Sequence, residues 1–385
     1  MSDFYARQLE ALRARSLDRQ LREVSSPQGA IVDLDGKRLI NFSSNDYLGL
    51  ANDPRLREAA TKAIAEFGVG AGASRLISGT QSPHLRLENA LAQWKGTEAA
   101  LCFSSGYAAA LGTIPALAGK NDVILLDKLC HASLIDAVRL SGATVRVFPH
   151  NHLAKLKSLL EWSGRNNPAA RVLIITESVF SMDGDRAPLR EIVHLKKNFG
   201  AQLFLDEAHA VGVIGPNGQG LAAEENLSQE IDVQMGTLSK ALGVAGGYIC
   251  GSRVMIEWLI NRARSFIFST APPPALAAAA NAAIDFLSST EGAERRRQLW
   301  RNIDILAQEL SICPVSAIVP WIIGDEAAVL VAAKTLHDEG LFVPAIRYPT
   351  VAKGSARLRI TVSAAHEKAQ LRSLVGALKK LPKRS

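Results

Sequence analysis

The chain has 385 residues, 48% of them hydrophobic and 21% charged, enough to bury a large core and too many for one small domain. Its formal charge of +7 comes from Lys and Arg residues spread along the chain, with no aromatic-interleaved basic stripe, which disfavours nucleic acid as a partner. There is no apolar run long enough for a membrane span, no secretion-signal pattern in the polar start, and no CxxC pairing among Cys102, Cys130, Cys250 and Cys313, so a membrane span, a metal site and a disulfide framework are disfavoured and a cytoplasmic location is expected.

In chain order, residues 1–48 read as a helical N-terminal arm. From about residue 95 to 255, short apolar runs alternate with amphipathic stretches. AALCF, DVILLD, TVRVF, RVLIITE, AQLFLDE, VQMGT and GGYICG are strand candidates, while APLREIVHLKKNFG has helical spacing and ends in Gly200, as a C-cap should. The alternation predicts an α/β fold with an open, mostly parallel sheet, in which ligands bind beyond the carboxyl ends of the strands. Pro272, Pro273 and Pro274 then precede an Ala-rich helix over about 275–288. A charged helix, GAERRRQLWRNIDILAQEL, and the strand-like SAIVPWIIG and ARLRITVS follow. The expected division is a large domain over 49–285 and a smaller α+β domain over 286–385.

The chemistry-bearing residues fall at the ends of these strands. In QLFLDEAHAVGVIG an apolar strand runs into Asp206, with His209 three residues on; in MGTLSKALGVAGGY, Lys240 lies in a small-residue loop after another strand. Such a lysine can form an imine with an aldehyde cofactor. Asp206 would then pair with a pyridinium nitrogen and keep the ring an electron sink, and His209 would hydrogen-bond its phenolic oxygen. Taken singly, the three read as a helix cap, a satisfied histidine and surface charge; in this order they read together. FSSGYAAALGTI turns the amides of Ser105, Gly106 and Tyr107 toward an anion at a helix N-terminus, with Thr237 available to the same phosphate. His131, past a strand in DKLCHASLIDA, could stack on a planar ring, and ITESVFSMDGDRAPL offers Glu177 and Ser181 in a turn. A Walker sequence and the GxGxxG spacing are both missing, which disfavours a nucleotide-binding dehydrogenase.

At these residues the chain resembles the α-oxoamine synthase family of fold-type I pyridoxal 5'-phosphate (PLP) enzymes, over about residues 8–370. NFSSNDYLGL, GAGASRLISGTQSPHLRLE, SSGYAAALG, HASLIDA, FSMDGDRAPL, LDEAHAVGVIG, GTLSKALG, FSTAPPP and YPTVAKGSARLRIT stand in family order. The resemblance implies an aminotransferase-like fold and PLP as cofactor. It also implies decarboxylative condensation of a small amino acid with an acyl thioester, carried on coenzyme A or acyl carrier protein, by a homodimer with shared active sites. A non-catalytic binding protein on the same fold would be expected to lack part of the Lys240, Asp206 and His131 set.

Residue by residue, the resemblance implies Lys240 as covalent attachment point and later base, Asp206 on the ring nitrogen, His131 stacked on the ring, and His209 and Ser181 on its phenolic oxygen. Ser105, Gly106, Tyr107 and Thr237 would hold the phosphate, joined by Ser269 and Thr270 from a second copy. Arg359 would take the amino-acid carboxylate. Arg22, Asn45, Arg347 and Thr350 would lie near the substrates and Glu177 near the thioester. Ser74 stands where glycine-using relatives carry a β-branched residue; the space left suits alanine's methyl group, a difference of roughly 1–3 kcal/mol. His152 departs from the family's usual Asp.

Overall fold

The computed structural model describes residues 2–15 and 17–381. Seven strands form the main sheet, in the spatial order Ala99–Phe103, Gly247–Gly251, Val233–Thr237, Gln202–Asp206, Val172–Glu177, Val123–Asp127, Thr144–Phe148. They coincide with the seven apolar runs of the sequence. Six run parallel and Gly247–Gly251 alone is antiparallel to its neighbours. Helices cover both faces, so Val123–Asp127, Val233–Thr237 and Gly247–Gly251 are buried along their whole length. That is why they read as continuous apolar stretches rather than alternating ones. Thr144–Phe148, at the sheet edge, is partly exposed. The helix Leu189–Phe199 ends where Gly200 takes a left-handed conformation (φ 63°).

Parallel strands align their carboxyl ends, and here four adjacent strands each finish on a polar residue: Thr237, Asp206, Glu177 and Asp127. One edge of an apolar sheet therefore carries a row of polar side chains. A second sheet, Ile318–Gly324, Ala356–Thr361 and Ala345–Ile346, is antiparallel and contains the two strand-like pieces expected near the C-terminus. Two long helices, Pro274–Ser288 and Thr290–Leu310, meet at Ser289, which ends the first and caps the second through the Gly292 amide at 3.1 Å. Among the described residues no helix is long and apolar enough to cross a membrane.

Among the described residues of the arm expected over residues 1–48, helix occupies only Ser2–Ala14. Ile31–Leu34 and Lys37–Asn41 form a hairpin, and the second strand pairs in parallel with Leu341–Phe342. Its turn is Asp35–Gly36, both at positive φ (50° and 78°), the geometry that an Asp-Gly pair favours between alternating apolar residues. The arm is thus part helix and part strand.

The loops beyond the strand ends are tied together by His150. Its Nδ1 lies 3.1 Å from Asp127 Oδ1 and its Nε2 2.7 Å from Asp185 Oδ2, while the Asn151 amide donates to Asp127 Oδ2 at 2.9 Å. Burial opposes a charge on His150, but the two carboxylates outweigh it and raise its pKa from 6.5 to about 10. A folded-state pKa above the unfolded value gives stability that is complete below pH 6.5 and fades as the pH climbs to about 10. Urea denaturation of wild type and His150→Gln should therefore show the widest gap near pH 6, closing toward pH 10; a gap that widens with pH would contradict this pairing.

Candidate active site

Lys240 lies in the loop that follows the strand Val233–Thr237. The loop is closed by its own backbone, Leu238 N–H to Gly246 O at 3.0 Å and Val244 N–H to Leu238 O at 2.9 Å. Gly243 (φ +70°) sits so close to Leu50 and Ala51 that a Cβ there would fall 2.5 Å from the Ala51 nitrogen, which pins the loop against the NDYLGL turn. This packing sets the Lys240 amine 2.8 Å from His209 Nε2.

From His209 a chain of hydrogen bonds runs across to the second sheet. His209 Nδ1 is 2.6 Å from the Tyr47 hydroxyl, which donates to Asn45 Oδ1 at 3.2 Å. Arg359 Nη2 donates to the same oxygen at 3.1 Å, Nη1 to Thr361 Oγ1 at 3.1 Å, and Nε to the Ser181 carbonyl at 2.6 Å. Lys240, His209, Asn45, Arg359 and Ser181, named from the sequence, are thus physically connected. The middle link, Tyr47, was not among them. It lies inside the quoted motif NFSSNDYLGL, and its hydroxyl is wholly buried.

Asp206 and Glu177 face each other in register at the ends of adjacent strands. Asp206 is buried and accepts the Ala208 amide at 2.9 Å; Glu177 is buried and accepts the amide of His131. Burial raises both carboxyls. Lys240 opposes the rise at Asp206, whereas the Asp206 charge pushes Glu177 further, well above its usual range. Glu177 is therefore the protonated member of the pair. His131 caps the helix Ala132–Ser141, its ring accepting the Ser133 amide at 3.2 Å. Burial pulls Lys240 down from 10.5 to about 8, against Asp206, which favours its charge. Burial, then Lys240, also drops His209 well below 6.5, so its imidazole is neutral.

The phosphate-type cradle stands at the neighbouring strand end. Ser105 caps the helix Gly106–Leu117, its Oγ accepting the Ala108 amide at 3.0 Å. Gly106 and Thr237 are neighbours, a Cβ on Gly106 falling 3.8 Å from Thr237 Oγ1. A Cβ on Gly247 would fall 2.5 Å from the Gly106 nitrogen, so only glycine admits this approach. Tyr107 is exposed and its hydroxyl donates to Asp136. An amine, a carboxylate and an open helix N-terminus match the aldehyde, ring nitrogen and phosphate of PLP, so the residues present fit that group.

The other sequence candidates lie outside this hydrogen-bonded chain. Ser74 and Thr270 pair as an isolated bridge, next to which the Ala271 amide donates to the Ala73 carbonyl at 2.9 Å; Ser269 is half-buried and Thr270 exposed. Arg22 donates to Asp35 Oδ2 at 2.6 Å, and its Nη2 lies 2.9 Å from His337 Nε2. Arg347 and Thr350 share a turn, the Thr350 amide donating to the Arg347 carbonyl at 3.0 Å. His152 caps the helix Leu153–Asn166 by accepting the Lys155 amide at 3.1 Å, a task that Asp performs equally well.

A lysine amine, a buried carboxylate and a helix-end cradle at the carboxyl edge of such a sheet define a PLP-dependent enzyme of fold type I. Residues 37–378 match the family described as aminotransferase class I and II, and the chain belongs to that family, within its α-oxoamine synthases. It is 46% identical to the 8-amino-7-oxononanoate synthase of Citrifermentans bemidjiense over 99% of this chain and 98% of that one. It is 45% identical to the same-named protein of Geobacter sulfurreducens over 100% and 99%. Among solved structures it superposes on the serine palmitoyltransferase of Sphingomonas wittichii with a TM-score of 0.91, at 33% identity over 98% of this chain and 96% of that one. For the 8-amino-7-oxononanoate synthase of Francisella tularensis the TM-score is 0.76, at 27% identity over 89% and 97%.

Only the neutral amine of Lys240 attacks an aldehyde. The rate at which the cofactor-free protein develops visible absorbance with PLP should rise about tenfold per pH unit and level off near the lysine's pKa of about 8. Stopped-flow mixing across that range tests it, and Lys240→Ala should develop no such band.

Proposed function

We propose that this chain joins L-alanine to a pimeloyl thioester with loss of carbon dioxide, giving 8-amino-7-oxononanoate in biotin biosynthesis. The observation that carries the reading is end-to-end likeness to 8-amino-7-oxononanoate synthases, 46% identity over 99% of the chain in one of them, in a protein whose Lys240 and His209 meet at the sheet edge beside Asp206.

When bound, PLP supplies an aldehyde for amines and a ring that takes up the electron pair left at the amino acid's Cα. Arg359 binds the amino acid's carboxylate, and its anchors on Asn45 and the Ser181 carbonyl fix the direction of approach. Lys240, which sheds its proton near neutrality, then takes the proton from Cα. Asp206 would hold a proton on the ring nitrogen, and His209 and Ser181 would hydrogen-bond the phenolic oxygen. Cα attacks the thioester carbonyl, the thiol departs, and the carboxylate held by Arg359 leaves as carbon dioxide. His131 would return a proton to the product carbon.

Ser105, Gly106, Tyr107 and Thr237 hold the phosphate in this reading, with Ser269 and Thr270 of a second copy reaching it. Exposed Val69, Ile77 and Phe268 (76%, 81% and 70%), close in sequence to Ser74 and Thr270, support a homodimer burying that rim. Arg22, Arg347 and Thr350 lie toward the acyl substrate, carried by coenzyme A or acyl carrier protein, and Glu177 backs the reacting end through the His131 turn. Residues 49–285 hold the cofactor, residues 286–385 bring Arg347 and Arg359 to it, and the enzyme works in the cytoplasm.

Turnover with pimeloyl-CoA, followed by thiol release, should show kcat/KM for alanine at least about tenfold above glycine and serine. Preference for serine would favour the chemistry of its serine palmitoyltransferase neighbours instead. Ser74→Thr should cut the alanine value about tenfold while sparing glycine, because the added methyl occupies the space of alanine's side chain. Equal loss with both amino acids would remove Ser74 from the specificity argument.

A further inference from the structure

His209 is held from two sides, by Lys240 at Nε2 (2.8 Å) and by Tyr47 at Nδ1 (2.6 Å). The ends of the hydrogen-bonded chain are fixed by chemistry, because a guanidinium and an ammonium have donors only. Asn45 Oδ1 must accept from Arg359, and Lys240 in its charged form must donate to His209 Nε2. A neutral imidazole accepting at Nε2 carries its hydrogen on Nδ1 and gives it to the Tyr47 oxygen. The Tyr47 hydrogen is then free for Asn45 Oδ1, 3.2 Å away. Every polar atom in the chain is satisfied by this one arrangement.

It is no longer the favoured one once Lys240 loses a proton, because a neutral amine is a weak donor and a good acceptor, or once Lys240 is tied to a cofactor. Nε2 then faces the lone pair of a neutral amine in the cofactor-free protein, and the favourable imidazole is the one with its hydrogen on Nε2. Nδ1, in a wholly buried pocket, needs a donor in its place. A tyrosine hydroxyl serves both arrangements by rotating about its C–O bond, accepting in one and donating in the other.

We propose that Tyr47 is a positioning residue whose hydroxyl switches from acceptor to donor at His209 Nδ1, so that His209 turns an N–H toward the reacting end of the site when Lys240 is no longer an ammonium. One proton leaves Lys240 for solvent; His209 and Tyr47 keep their hydrogen counts. The groups facing Lys240 are Asp206, Glu177, Arg359 and His209, and those facing His209 are Lys240, Arg359, His131 and Tyr47. Burial pushes Tyr47 up to about 12, so it remains a hydroxyl throughout. The role in turnover rests on the function proposed above; the tautomer change does not.

The test reads the cofactor-free protein, with 15N-labelled histidine rings, by NMR on either side of the lysine's pKa of about 8. Wild-type His209 should carry its hydrogen on Nδ1 below that pH and on Nε2 above it, which at the 2.6 Å separation from the Tyr47 oxygen requires the hydroxyl to change from acceptor to donor. A wild-type ring that keeps one tautomer across the range overturns the proposal. In the holoenzyme, Tyr47→Phe should lower kcat about tenfold, with PLP affinity and the KM for the acyl thioester within about twofold, the size of one lost hydrogen bond. An unchanged kcat overturns the role in turnover. Wild-type protein that switches tautomer yet condenses no alanine would sink the functional reading and leave the switch standing.

Discussion

The site depends on keeping the Lys240 amine out of bulk water while leaving it beside two carboxyl groups. Desolvation alone would neutralise the amine and make it a poor partner for an anion; full exposure would leave it charged and unreactive at neutral pH. Asp206, with the protonated Glu177 beside it, limits the depression, so the amine titrates close to the pH at which an enzyme of this type works. Neither group could do this from a flexible loop. Both are last residues of buried strands, fixed by sheet register, and the lysine loop is clamped by Gly243 against the backbone of Leu50 and Ala51.

The same edge gathers several buried carboxyls, and each is answered differently. Asp127 meets a protonated His150, and Glu207 a buried Lys95 at 2.5 Å. Glu177 gains its proton and the His131 amide, while Asp206 keeps a charge facing Lys240. A row of like charges along one sheet edge would repel. Separate neutralisation leaves a single negative group directed at the lysine, where a pyridinium nitrogen fits. The Lys95–Glu207 pair lies immediately behind Asp206 in sequence and, with the Ala222 amide on Glu207, holds the next turn rigid.

Much of this was legible in the sequence. Strands buried on both faces are written as unbroken apolar runs, and all seven were found, including the exposed-edge strand Thr144–Phe148, whose flanking turns bound it. Lys240, Asp206 and His209 were legible because polar residues at the ends of such runs have one place to go. Tyr47 was not, because a buried aromatic ring explains itself as core and nothing local announces that its hydroxyl meets His209, 162 residues away. The hairpin over residues 31–41 was missed for a different reason. Its Asp-Gly turn was present, but four- and five-residue strands next to a helix-like arm give little periodicity to count. The link from Arg359 to Asn45 joins residues 314 positions apart, a contact that only the resemblance, and never spacing, could suggest.

The pairing of Lys37–Asn41 with Leu341–Phe342 has a consequence for synthesis on the ribosome. Both paired positions, Ile40 with Leu341 and Asn41 with Phe342, are 301 residues apart (341 − 40), so at translation speeds of about 5–20 residues per second the hairpin waits roughly a quarter to a full minute for its third strand. During that interval its open edge is a template for wrong partners. The nascent protein also lacks Arg359 until 119 residues after Lys240 (359 − 240), when every residue from Ser105 to Lys240 has already been made. Vitamin capture is therefore topologically possible before the substrate-recognition arm exists, an order in which a bound coenzyme would stabilise the unfinished chain by mass action.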